Sequence, residues 1–314
     1  MLVNNVGLAG RYRITKIKDG LITYKGKWFD NLITNAGLDG LLISDNNYRF
    51  IFDRCQLQLG AGQQTPAFSD VNLAQFVLWT RFYDHNSNKQ EQGINKQERY
   101  YWNRAYIRMP AKKEPYQIAE LGVKNSYGYY LLSRALIKDD AGNNTTIAVL
   151  AGEELEVVWE LRLYYNPDYE KKGSFKLIKN NGSYDVINYH LKPIQIEGSN
   201  GFVIDNFTGT YYELMPNKTE LLDVRASADS WCKSRLYANN YLTRKDYIPG
   251  TFRRELFLYV NTNFSYNEEL AQGFNAIYLN LGNNCRYQIL LDKTIKKTNE
   301  QKLTLNFSYS IGRK

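Results

Sequence analysis

The sequence predicts a mainly β protein: an antiparallel β-sandwich or jelly-roll-like architecture in two β units, with very little helix. Three observations carry that expectation. Apolar and polar residues alternate strictly over long runs, as in strands with one face buried and one face wet. Turn signals rich in Gly, Asn and Asp separate those runs at spacings usual for sandwiches and barrels. Stretches with helical periodicity are scarce.

The elements follow in order. From Arg11 to Phe29, two alternating segments flank Asp19-Gly20, a dipeptide that favours the positive backbone angles of a type I′ hairpin. Residues 35–42, NAGLDGLL, predict one short helix after an Asn cap, weakened by its two glycines. A strand from Cys55 to Leu59 runs into GAGQQTPAFSDVNL, and further strands are expected at 99–109, 116–124, 129–138 and 145–151. In the run at 153–165, Leu155, Val157, Trp159, Leu161 and Leu163 share one face, while Glu154, Glu156, Glu160 and Arg162 occupy the other.

Asn166 to Gly173 combines Pro, Gly and charge directly after that long strand, and marks the best break in the chain. It divides residues 1–166, a β-sandwich unit, from 167–314, a second β domain or insertion that ends in a closing strand. Beyond the break, a weak helical stretch surrounds Trp231. Strands are expected at 252–262, 275–282 and 285–293. The last strand, 302–311, sets Leu303, Leu305, Phe307, Tyr309 and Ile311 against Lys302, Thr304, Asn306, Ser308 and Ser310, a pattern like that of 153–165.

Composition narrows the function classes. With 43% hydrophobic and 23% charged residues the chain is neither collagen-like nor compositionally disordered. No apolar stretch approaches the roughly 18 residues of a membrane span, and the first residues lack a basic region followed by an apolar one, so neither membrane insertion nor export is expected. Cys55, Cys232 and Cys285 are odd in number and far apart, which fits reduced thiols. The net charge of +8 is spread over short groups such as Lys112-Lys113 and Arg253-Arg254, interleaved with acids, and a nucleic-acid partner is not expected.

The glycine-rich loop at 60–75 invites a phosphate-binding reading that its residues do not support. Gln63, Gln64, Thr65 and Pro66 stand where a Walker loop needs Lys and Ser or Thr, and the alternating strand–helix framework of a dinucleotide fold is missing. The structural expectation is that Gly60 and Gly62 let the strand turn sharply while Pro66 and Asp70 shape an extended connection. His85 and His190 have no second ligand near them in sequence, and no Gly-x-Ser-x-Gly elbow supports a nucleophile. Glu153-Glu154 and Glu268-Glu269 read as solvated pairs rather than glycosidase carboxylates. No catalytic residue, metal site or cofactor is expected.

Tyrosine is the outlier, 26 residues, many of them in adjacent pairs that place one ring on each face of a strand. Outward rings suit protein interfaces and aromatics equally well fill β cores; on the interface reading the candidates are Tyr101, Tyr130, Tyr164, Tyr212 and Trp102. The polar excursion at 84–98 is a candidate assembly arm. Trp102 and Trp231 are the candidates for stacking on a glycan.

Four segments carry a resemblance: FDNLITNAGLDGLL (29–42), LQLGAGQQTPAFSDVNLAQ (57–75), AELGV (119–123) and 131–165, from LLSRALIK to ELEVVWELRLYY. Together they resemble a pattern in structural proteins of tailed-bacteriophage virions: an Asn-Leu-Ile-Thr start, a Gly-x-Gly loop with a following Pro, Asp-x-x-Leu, an acidic-x-Gly element, Ser-Arg-Ala and a long Glu-Leu-x-Val strand. The final residues, from Asp292 to Lys314, also look like the last strand of such proteins. The resemblance covers about half the chain, and residues 166–290 lie outside it. It implies a virion component of the tail or neck, made in the host cytoplasm, present in symmetry-related copies, and contacting itself and other virion proteins. It implies no catalytic residues. The alternative is a carbohydrate- or receptor-binding module of a phage tail, with a host-surface glycan as partner.

Overall fold

The computed structural model describes residues 2–42, 55–82, 89–125, 130–179, 182–194, 211–223, 225–232, 237–260, 267–281, 285–298 and 302–314. The first half of the chain holds β1 (Leu2–Lys18), β2 (Leu21–Lys25), β3 (Phe29–Ile33), α1 (Asn35–Leu42), β4 (Cys55–Gly60), β5 (Phe76–Arg81), β6 (Lys89–Asn95), β7 (Tyr100–Met109), β8 (Tyr116–Ile118), β9 (Glu120–Asn125), β10 (Leu131–Leu136), β11 (Ile147–Val149) and β12 (Glu154–Tyr164). The second half holds β13 (Lys171–Ile178), β14 (Tyr184–Pro193), β15 (Tyr211–Met215), α2 (Ala228–Trp231), β16 (Tyr237–Tyr241), β17 (Thr243–Arg244), β18 (Arg253–Val260), α3 (Asn267–Gln272), β19 (Phe274–Asn280), β20 (Arg286–Ile295) and β21 (Leu303–Arg313). The protein is mainly β, and among the described residues its pairings are antiparallel apart from the parallel pair of β1 with β21.

β1 organises the larger sheet because both its edges are used along its length. One edge pairs from Gly7 to Ile17 with β12, which passes on to β7 and β6. The other edge is shared by β21 at Leu2–Leu8, β3 at Gly10–Tyr12 and β2 at Thr15–Lys18. From β3 the sheet continues through β10, β9, β4 and β5, and β5 comes back alongside β7, so the sheet curls into a half-barrel. Apolar alternation explains the enclosure: Ile14, Val157, Trp159, Leu161 and Ile107 from one side belong to the same buried core as Leu57, Leu59, Leu121 and Val123 from the other. Tyr12 is enclosed with them, its hydroxyl 2.7 Å from Ser133 Oγ.

The Asp19-Gly20 hairpin forms as expected, with φ of 51° and 77°. Residues 35–42 form the expected helix, but its cap is one residue earlier. The Thr34 hydroxyl, not Asn35, accepts the Gly37 N–H at 2.9 Å. The run at 116–124 divides into β8 and β9, because Ala119 turns to donate its N–H to Gly60 O and accept the Ile137 N–H, both at 2.8 Å. β8 then pairs with β11 in a separate two-stranded sheet.

The chain leaves the large sheet after β12, at the break expected near Asn166, and builds a six-stranded sheet in the order β13-β14-β20-β19-β15-β16. β17, β18 and β21 return to the large sheet, so the later half contributes to both. β12 and β21, similar in sequence pattern, are both neighbours of β1. The segment expected to be an assembly arm is partly a strand: β6 lies within 84–98 and pairs with β7, while residues 83–88 lie outside the described residues.

Candidate functional site

The glycine-rich loop is an anion cradle, and the anion it holds is the protein's own. The side chain of Glu120 lies on the face of β9 opposite the core and is closed to solvent under the loop. Its Oε1 accepts N–H bonds from Gly62 (3.1 Å) and Gln75 (2.8 Å), and its Oε2 accepts one from Ala74 (3.2 Å). Arg134, on neighbouring β10, donates from Nε to the same Oε2 at 2.7 Å. Its other nitrogens reach Asp70 Oδ2 at 2.7 Å and the Gln64 carbonyl at 2.9 Å. Burial opposes the guanidinium charge, but the bonds to Asp70 and Glu120 outweigh it and hold the pKa of Arg134 above its ordinary value.

This geometry explains the spacing of the motifs. Glu120 and Gly122 are two apart, hence on one face of β9, and Leu73 packs where a Gly122 side chain would stand, 2.8 Å from its hypothetical Cβ. Asp70 and Leu73 therefore pin the loop at two points. Ser133 points inward to Tyr12 while Arg134, next in sequence, points outward. Gly60 and Gly62 are required for room rather than for a left-handed turn, since a Cβ on either would come within 2.5 Å of the Glu120 carboxylate. Asp70 closes its own turn by accepting the Ala67 N–H at 2.9 Å, and Pro66 lies half-buried in the same connection.

α1 is the second hub. Gly37 packs on the Leu132 carbonyl, Thr34 N donates to that carbonyl at 3.1 Å, and Asn35 N donates to Phe68 O at 2.8 Å. From the far end of the chain, Arg313 donates to Ile33 O (2.7 Å) and Asn35 Oδ1 (2.6 Å), and stacks 3.9 Å from the Phe68 ring centroid. Asp39 accepts the Tyr247 hydroxyl and the Gly250 N–H, and Arg254 donates to Leu42 O at 3.1 Å. The segment 29–42 is thus tied both to the loop at 60–75 and to the C-terminal strands.

The tyrosines divide between the core and the outer face. Tyr101 and Tyr212 are core residues and offer no ring to a partner. Tyr130 lies against Gly40, where a Cβ would meet its ring at 2.3 Å, so it packs α1 onto the sheet. Tyr164 and Trp102 are half-buried on the outer face of β12 and β7. That face carries a cluster of ion pairs. Glu160, fully enclosed, is paired with Arg11 and Arg162 at 2.7 Å each and with Arg104. Trp28 lies over Arg11 (4.2 Å to the ring centroid) and Arg13 (4.8 Å), and Trp102 packs between Gly93 and Arg104. Three arginines share one carboxylate here, with Arg13 beside them over Trp28, an excess of positive charge that no single residue announced in the sequence.

The other candidates are structural. Glu153 accepts the Leu150 N–H and the Lys16 ammonium, contacts that hold its pKa below the ordinary value, and Glu154 pairs with Arg108 at 3.4 Å. His190 pairs with Glu170 at the surface, and His85 and the Glu268 and Glu269 side chains lie outside the described residues. Trp231 is closed to solvent. Cys55 and Cys232 are buried and in no disulfide, and burial pushes the Cys285 thiol up to about 12. Among the described residues, no group of three or more His, Cys, Asp or Glu stands in a ligating arrangement, and no helix is long and apolar enough to cross a membrane. Comparisons with protein-family models, with curated proteins and with solved structures find no match to this chain.

Proposed function

We propose that the protein is a structural, non-catalytic component of a tailed-phage particle, located in the tail or neck and assembling through contacts with its own copies and with other virion proteins. The observation that carries this reading is the convergence of the motif residues. Gly60, Gly62, Asp70, Glu120 and Arg134 belong to the segments that resemble virion proteins, and all five are committed to one buried latch. Their shared pattern is explained by a scaffold and asks for no substrate. The outer face around Glu160, with its surplus of arginine and its half-buried Trp28 and Trp102, supplies a surface suited to an acidic neighbour.

The glycan-binding alternative has weaker support, because Trp231 is enclosed and Trp102 is covered by Arg104, which leaves neither as an open stacking platform. Analytical ultracentrifugation of the purified chain over a range of micromolar concentrations, with mass spectrometry of purified particles, tests the proposal. A closed assembly of fixed size, or the chain present in particles, is expected. A chain that stays monomeric throughout and is missing from particles defeats it.

A further inference from the structure

A cavity of about 590 Å³ lies where the tip of the β13–β14 hairpin meets β20 and the start of β21. Its floor is aliphatic, made by Leu177, Ile187, Ile295 and Leu303, and Ile178, 75% exposed, carries that surface to the rim. The rest of the lining is dominated by lysine. Among the described residues, five lysines line the space against a single carboxylate, Asp185, which is already paired with Lys179 at 3.0 Å. Lys293 donates to the Val186 carbonyl at 2.9 Å, and Lys296 and Lys302 have no carboxylate partner among the described residues. Lys297 is enclosed, 1% exposed, with its ammonium on the Thr298 carbonyl.

Such an arrangement opposes itself in the free protein. Like charges crowd a concave, low-dielectric surface that focuses their potential, and burial lowers the pKa of Lys297 because its charged form is poorly solvated. An incoming anion relieves that repulsion. The aliphatic floor says what else the ligand carries. Among the described residues no aromatic ring lines the cavity, so they offer a sugar no plane to stack on. The space is also far larger than an inorganic oxyanion, so it suits a longer ligand with an apolar part.

We propose that this cavity binds an acidic peptide segment of a neighbouring protein, with an aliphatic side chain seated on Leu177, Ile187, Ile295 and Leu303 and flanking carboxylates held by Lys293, Lys296 and Lys302. The inference stands on the cavity alone and does not depend on a place in a virion.

Fluorescence anisotropy with the full chain tests it. The probe is a labelled short peptide with two central leucines flanked by Asp and Glu; the comparators are the same peptide with serines in place of leucines, an oligouronate, and inorganic phosphate as competitor. Saturable binding of the leucine peptide is expected, about tenfold or more tighter than the serine peptide. The charge-reversed variant Lys293→Glu/Lys296→Glu/Lys302→Glu, altered only at exposed positions and checked by circular dichroism, is expected to weaken binding about tenfold or more. Ile178→Ser gives a second readout at the rim. Absence of binding, equal affinity for the serine peptide, tighter binding of the oligouronate, or an unaffected charge-reversed variant each overturns the proposal.

Discussion

Arg134 meets Glu120 inside the fold, Nε to Oε2 at 2.7 Å, with both side chains closed to water. Because the same guanidinium also holds Asp70 and Gln64 O, the pair joins two strands to the loop that covers them. Arg134→Met strips the enclosed carboxylate of its counter-charge, and a loss of about 3–5 kcal/mol in urea denaturation is expected. Adding Glu120→Gln removes the stranded charge, so the double variant should lose clearly less than the sum of the two single losses. Strict additivity would show that the two groups do not form a unit.

The glycines make a separate prediction about the loop. Gly60→Ala places a methyl group 2.5 Å from the Glu120 carboxylate and 2.7 Å from the Gln75 carbonyl, and the loop must shift to admit it. A cost of about 1–3 kcal/mol is expected, together with new proteolytic cleavage within 61–75. Gly142→Ala serves as the contrast. Its φ of +88° makes alanine cost about 1–2 kcal/mol, but nothing lies within 4 Å, so loop cleavage should not change. Equal cleavage in the two variants would mean that the close approach to Glu120 is not what holds the loop.

The fold class was legible because its signal is local: alternation in β12, the Asp-Gly hairpin and the short helix at 35–42 each need only neighbouring residues. β14 shows in the strand-like run INYHLKP around His190, whereas β13 is hard to read because its Lys-x-Gly-x-Phe stretch puts polar residues on both faces and weakens the alternation. The latch residues were visible one by one in the motifs, but not their meeting. Arg134 and Asp70 are separated by 64 positions, and only strand order brings them together. Where both faces of a strand are covered, tyrosines at adjacent positions are both core residues. Tyr100 and Tyr101 are both buried, one against Tyr164 and the other against Tyr165, so adjacency alone did not select an outward ring.

Glu160 sets the sign of an acid response. Burial pushes its carboxyl up, the bonds from Arg11, Arg162 and Arg104 push it down, and the net result lies below the ordinary value. A group whose pKa is depressed by folding contributes stability above its unfolded pKa, about 4.3, and that contribution disappears as pH falls through the folded value. Stability should therefore decline from about pH 5 downward. Glu160→Gln is expected to cost about 2–3 kcal/mol at neutral pH, less than for fully enclosed partners because its arginines keep some contact with water. Its acid limb should be flatter than that of the wild type, and parallel limbs would remove Glu160 as the cause.

Tyr247 decides whether the C-terminal strands are locked to α1. Its hydroxyl donates to Asp39 and accepts the N–H of Phe252 at 3.2 Å, and Phe252 sits at a φ of 49°, a region that bulky residues seldom occupy. Burial, and then Asp39, raise the pKa of that hydroxyl, so it stays a donor throughout the physiological range. Tyr247→Phe keeps the ring but leaves the Phe252 amide without its acceptor, at a cost of about 1–3 kcal/mol. The loss should be local. Hydrogen exchange is expected to quicken at Gly250, Phe252 and Ile311, the last because its N–H is held by the Phe252 carbonyl at 2.9 Å, while amides of β12 keep their protection. Uniform acceleration across both sheets would instead make the clamp part of the global fold, and unchanged exchange at Ile311 would show that the C-terminal strand holds its place without it.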